Sequence, residues 1–218
     1  SRHTLANGLE VIVVHKPYHA KRYAFFATRY GGMDMRYRQD GQWRDTPAGI
    51  AHYLEHKMFD TPQGNALQEL ARNGAVENAF TSGSMTAYYF ESTEHFYENL
   101  RILLDFVSVP WFTEESVAKE QGIIAQEIRM TEDDPEWRVY ANLMECLYRE
   151  SPVKVPVAGT VESIQQITPQ VLYDCHRAFY TPGNMVLVCV GDVEMEKVAA
   201  IAEEILPAER GEDIPRDY

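Results

Sequence analysis

The pentad His52-Tyr53-Leu54-Glu55-His56 limits the folds open to this chain more than any other feature. Its segment reads as helix, and residues four apart on a helix lie one above the other, roughly 6 Å apart along the axis. His52 and His56 can therefore aim one nitrogen each at a single point, with Glu55 inside the same stripe. Two imidazoles and a carboxylate are the start of a hydrolytic metal centre. A catalytic zinc takes about three protein ligands, keeps one position open, and needs a carboxylate off the metal to accept a proton from water. A fold that uses the pentad must bring a third ligand over this helix from elsewhere.

With 7 His and 22 Glu in 218 residues, about 0.02 random matches to the pentad are expected. Its surroundings also read as helix. Thr46-Pro47 offers an N-cap and a proline at the first helical position, and Asp60-Thr61-Pro62 closes the segment. Ile50, Leu54 and Met58 make one apolar stripe, while His52, Glu55, His56 and Phe59 make another.

Thr113 to Thr131 is the best source of the third ligand. Thr113 reads as a cap, Glu114 and Glu115 sit in the first turn where the helix dipole favours them, and no proline interrupts the run. Glu120, Ile123, Ile124, Glu127 and Thr131 share one face. Carboxylates interleaved with isoleucines suit a buried face only when positive charge lies opposite. The alternative is that Glu120 and Glu127 are solvated and paired with Lys119 or Arg129.

His-x-x-Glu-His is the inverted zinc motif of the inverzincins. With a glutamate pair seven apart some seventy residues downstream, the chain resembles the pitrilysin family, which includes insulin-degrading enzyme and mitochondrial processing peptidase. Gly49 to His56, Asn78-Ala79-Phe80-Thr81-Ser82, Glu120 to Glu127, and Tyr180-Thr181-Pro182-Gly183-Asn184-Met185 leading into Val188 to Asp192 carry the likeness. It runs from about Thr4 to Leu206 and is nearest to bacterial processing-protease-like members. The resemblance implies His52, His56 and Glu127 as ligands of one Zn2+ per chain, Glu55 as general base, and Glu120 as an accessory carboxylate that orients a histidine. Lys57 and Asp60-Thr61 depart from the family's usual more apolar run and Lys-Gly-Thr.

Val76 to Thr81 and Met85 to Glu91 read as strands joined at Ser82-Gly83-Ser84. In the family the first of these lies at a sheet edge beside the metal. An unpaired edge lets an extended peptide add as a strand, so Asn78, Ala79, Phe80 and Thr81 are expected to bind substrate, with Phe80 either shaping a pocket or lying in the core. Family enzymes also draw an Arg and a Tyr from a second, homologous half. No internal repeat supplies one here, so the expected partners are a peptide substrate and a second half, a second copy or a related subunit.

Length and composition, at 45% hydrophobic and 24% charged, suit one domain spanning residues 1–218. The start at Ser1 and the charged end at Arg216-Asp217-Tyr218 read as a piece of a longer protein. A net charge of -13 argues against nucleic acid, which requires a basic face. Cys146, Cys175 and Cys189 are few and widely spaced, as in a reduced cytoplasmic protein, and no run is long and apolar enough to span a membrane.

Leu9 to His15, Tyr23 to Tyr30 and Met185 to Val190 read as further strands, with Gly31 to Asp45 as a polar insertion. Gln63 to Asn73, Glu94 to Val109, Pro135 to Arg149, Pro169 to Phe179 and Glu194 to Leu206 read as helices, with a loop over Pro152 to Thr160. The expected fold is α+β: two layers, with a mixed, mainly antiparallel sheet covered by helices on one face. The expected activity is zinc-dependent endopeptidase, weak for this chain alone. The alternative is a non-catalytic peptide-binding or assembly subunit of the same fold.

Overall fold

The computed structural model describes residues 1–218. Its strands in chain order are β1 (Arg2–Thr4), β2 (Glu10–His15), β3 (Arg22–Thr28), β4 (Arg36–Gln39), β5 (Gln42–Asp45), β6 (Asp60–Thr61), β7 (Gly64–Asn65), β8 (Val76–Thr81), β9 (Thr86–Ser92) and β10 (Met185–Gly191). The helices are α1 (Ile50–Met58), α2 (Ala66–Arg72), α3 (Phe96–Ser108), α4 (Glu114–Glu132), α5 (Pro135–Leu147), α6 (Val161–Ile164), α7 (Pro169–Phe179) and α8 (Met195–Ile205).

Six strands pair in the order β1-β2-β10-β3-β9-β8. Only β2 and β10 run parallel; the other neighbours are antiparallel. Strand side chains alternate between faces, and one face is close-packed. Val11, Val13, Ala24, Phe26, Tyr88, Phe90, Leu187 and Cys189 are each at most 1% exposed. They join Leu54 of α1, Leu100 and Leu104 of α3, and Val198 of α8 in one core, each large apolar side chain contributing about 1.5–3 kcal/mol. The opposite face carries half-buried Ile12, Phe25, Tyr89 and Val188. This is the mixed, mainly antiparallel sheet with helices on one face that the sequence implies.

Helix α1 begins at Ile50, later than Thr46-Pro47 suggested. Gly49 has φ +90°, which cannot continue a helix, and a Cβ there would lie 2.5 Å from the Ala158 carbonyl oxygen. Thr46 caps nothing; its hydroxyl donates to the Met35 carbonyl at 2.9 Å. At the other end, Asp60–Thr61 pairs with Gly64–Asn65, and the Asn65 side chain caps α2, so that helix starts at Ala66 and not at Gln63.

The polar insertion is not featureless. Arg36–Gln39 and Gln42–Asp45 form a hairpin around Asp40 (φ 52°) and Gly41 (φ 77°), the Asp-Gly signal of a tight hairpin turn. Its Tyr37 is buried edge-on against Phe179, with ring centroids 4.9 Å apart. The short strand β1 and the single-turn helix α6 also have no counterpart in the sequence reading, being too brief to show a period.

Candidate metal centre

Helix α1 is docked on the first turn of α4 by two side chains one helical turn apart. The Tyr53 hydroxyl donates to the Val117 carbonyl at 2.5 Å. The Lys57 ammonium donates to the Ser116 carbonyl at 3.3 Å and pairs with Asp60. Thr113 and Ser116 close a capping box that fixes where α4 starts. With both helix origins fixed, one carboxylate of α4 faces His56 and another, two turns on, faces both histidines.

His52 Nε2 lies 3.4 Å from Glu127 Oε1, and His56 Nε2 lies 3.5 Å from Glu127 Oε2. The ligand atoms of the three residues all fall within 4.8 Å of one another. Ligands about 2.0–2.1 Å from a tetrahedral zinc stand roughly 3.3 Å apart, and each of the two separations, one to either oxygen of Glu127, is close to that spacing. His56 Nδ1 lies 2.9 Å from Glu120 Oε1. When Nδ1–H donates to that carboxylate, Nε2 keeps its lone pair for a metal. His52 Nδ1 is buried with no hydrogen-bond partner, so only one of the two imidazoles is oriented in this way.

The electrostatics agree with the geometry. Burial disfavours a charged His56, but Glu120 and Glu127 outweigh it and push the imidazole up to about 9. Hydrogen bonds from His52 and His56 hold Glu127 well below the usual carboxylate range. Burial pushes Glu120 up, and His56, Lys57 and Lys119 more than reverse this. Negative charge on α4 thus faces groups able to carry positive charge, the environment that also holds a cation.

Glu55 is buried, and burial raises its carboxyl above the ordinary value against a bond from Thr81. Thr81 Oγ1 donates to Glu55 Oε2 at 2.5 Å. Two cavities flank the candidate ligands. One, of about 380 Å³, is lined by His52 and Glu127 together with Trp137, Tyr140 and Met144. The other, of about 320 Å³, is lined by Glu55, His56 and Glu120 together with Phe59 and Ala79.

Strand β8 pairs with β9 alone, leaving its other edge without a strand partner. Its register sorts the four candidate substrate residues. Ala79 and Thr81 oppose Tyr88 and Thr86 on the helix-covered face, while Asn78 and Phe80 oppose Tyr89 and Ala87 on the other. Phe80 therefore lies on the face of the sheet away from His52, His56 and Glu127, outside the core. It is 38% exposed and packs on Phe25 and Tyr89 at centroid distances of 6.2 and 6.3 Å. Ile123 also leaves the α4 stripe, at 48% exposed, because it lies at the stripe's margin while Ile124 is fully buried. Sequence reasoning gave no role to Tyr53, Trp137 or Tyr140, and noted Lys57 only as a departure from the family's pattern. For Lys57 a signal of its structural role was present, since it occupies the last turn of α1 three residues from Asp60.

Residues 40–161 match the family described as Insulinase (Peptidase family M16). The chain belongs to that family. Residues 166–211 also match the M16 inactive domain. Among relatives of this M16 chain, the uncharacterized zinc protease YmfH of Bacillus subtilis is 46% identical over 202 residues, 92% of this chain and 47% of that protein. The crystal structure of an M16-like peptidase from Alicyclobacillus acidocaldarius superposes with a TM-score of 0.95 at 42% identity, covering all of this chain and 52% of that one. Pitrilysin superposes with a TM-score of 0.80 at 20% identity, a likeness of fold, covering 97% of this chain and 23% of that one. The chain spans about half the length of the curated relatives it matches. No helix is long and apolar enough to cross a membrane.

Proposed function

We propose that this M16 chain, residues 1–218, is one metal-binding domain of a zinc endopeptidase, and that it works with a second homologous half, in the same polypeptide or in a partner subunit. The observation that carries the reading is the pair of 3.4 and 3.5 Å separations joining His52 and His56 to the two oxygens of Glu127, with Glu55 beside them on α1. His52, His56 and Glu127 hold the ion, and Glu120 orients His56. Bound there, zinc supplies Lewis acidity to a water and to the peptide carbonyl. Glu55 accepts the proton of the attacking water and returns it to the leaving amine, a role suited to a buried carboxylate whose affinity for protons is raised. An extended peptide adds as a strand along the free edge of β8, where main-chain pairing selects conformation over sequence. Ala79 and Thr81 face the reacting centre, while Asn78 and Phe80 flank the peptide from the other face of the sheet.

Relatives about twice this length support the second half, which would close the open side of the site. Three unpaired cysteines, two of them buried, support a cytoplasmic protein. The match of residues 166–211 to the inactive domain favours a second reading, in which the chain binds peptide or assembles without cutting. Metal analysis and kinetics separate the two. The chain should bind about one zinc, and Glu55→Gln should keep the metal while abolishing peptide hydrolysis by the complete protein. Protein that stays metal-free when zinc is plentiful would overturn the metallopeptidase reading.

A further inference from the structure

We infer that Thr81 is the positioning residue for Glu55, tying the general base on α1 to the strand whose free edge takes the peptide. This rests on the reading of Glu55 as the proton-transferring group. An ionised carboxylate has no proton to give, so the 2.5 Å contact is a bond donated by the Thr81 hydroxyl to Glu55 Oε2. No protein donor lies on Oε1, which leaves that oxygen to deal with water. The terminal torsion of a glutamate is broad and roughly two-fold, so a single fixed donor decides which oxygen faces which way.

The hydroxyl has one other polar neighbour. Thr81 opposes Thr86 at the end of the β8–β9 hairpin, with their hydroxyl oxygens 3.3 Å apart. Thr86 is fully buried and donates to the Tyr30 carbonyl at 2.9 Å. Thr86 can therefore only accept from Thr81, and the shorter contact, to a carboxylate oxygen at 2.5 Å against 3.3 Å, takes the Thr81 proton. Strand alternation puts Thr81 on the helix-covered face, so its side chain serves the base and not the edge where a peptide would pair.

A hydrogen bond to a charged group contributes enough that its loss from the reacting geometry corresponds to a rate change on the order of 10- to 100-fold. Thr81→Val keeps the branched shape and removes the donor; Thr81→Ser keeps the donor. In the complete protein loaded with zinc, Thr81→Val should lower kcat by about that factor with KM within about twofold, and Thr81→Ser should restore it. Zinc content should remain that of the wild type in both, which separates loss of alignment from loss of the ligand set. A readout independent of turnover is the 13C resonance of the Glu55 side-chain carboxylate in the 218-residue chain, identified by its disappearance in Glu55→Gln. It should move in Thr81→Val and return in Thr81→Ser. An unmoved resonance, or a Thr81→Val enzyme with wild-type kcat, overturns the inference. Should the zinc-loaded wild type cleave no peptide, the metallopeptidase reading fails by itself, and the resonance still decides whether Thr81 governs this carboxylate.

Discussion

Glu120 Oε1 lies 2.9 Å from His56 Nδ1, while Glu127 Oε2 lies 3.5 Å from Nε2 of the same ring. One imidazole is thus held at both nitrogens by carboxylates seven residues, or two turns, apart on one helix. The two contacts differ in kind. Glu120 orients the ring from behind, and Glu127 faces both histidines. Glu120→Gln should weaken zinc binding about 10- to 100-fold while leaving one site per chain. Glu127→Gln alters the proposed ligand itself and should weaken it further. Competition titration with a chromophoric chelator orders the two variants, and equal affinities would contradict the assignment of roles.

Lys57 is fully buried, and its ammonium sits between Asp60 and the Ser116 carbonyl. Removing one partner of a buried ion pair leaves the other charge uncompensated, at a cost of about 3–5 kcal/mol, whereas replacing both partners is close to neutral. Asp60 keeps about a third of its side chain exposed, which places the expected loss for Lys57→Met at the lower end of that range. Lys57→Met/Asp60→Asn should recover most of it. Urea unfolding of the two single variants and the double variant measures the coupling, and strictly additive losses would show that the pair acts as two independent residues.

The pentad was legible because periodicity, ligand chemistry and spacing converge within five residues, whereas the residues alone left Glu120 and Glu127 as either solvated or metal-facing, and only the resemblance to the family gave them roles. Orientation was less legible. Whether a strand residue faces the candidate metal centre depends on pairing register, a long-range property. Thr81 and Phe80 are neighbours in sequence, yet one binds Glu55 and the other packs on Phe25 across the sheet. The start of α1 was misplaced for a similar reason: Gly49 is confined by Ala158, more than a hundred residues away. The β4–β5 hairpin is different, since Asp40-Gly41 announced it locally and the polarity of the flanking residues obscured the signal.

His56 is pushed up to about 9 by Glu120 and Glu127, against the opposing effect of burial. Metal ligands must be deprotonated, so zinc competes with a proton at this ring. The proton is held more tightly than in water, and apparent zinc affinity should rise by up to about tenfold per pH unit between about 7 and 9. Above 9 the dependence should flatten. His56→Ala should lose both the affinity and its pH dependence. Isothermal titrations in buffers of different ionisation enthalpy would count the released proton, and a pH-independent affinity over this range would remove His56 from the ligand set.

His176 lies far from these groups in role. It is buried on α7, with Nε2 3.0 Å from the Val107 carbonyl and its ring stacked 4.7 Å from that of Tyr180. Burial pushes it down to about 4, so the folded protein keeps it neutral. The unfolded chain binds a proton near pH 6.5, and between there and about 4 it holds more protons than the folded state does. Stability from this residue is therefore complete above about 6.5 and falls as pH is lowered, by about 3 kcal/mol at most. Glutamine can still donate to the Val107 carbonyl but does not titrate, so His176→Gln should flatten this part of the profile. Carboxylates also titrate in the window, and the difference between wild type and variant isolates the histidine. Urea midpoints at pH 7.5 and 4.5 are the test, and parallel losses in both proteins would mean that His176 is accommodated in its charged form.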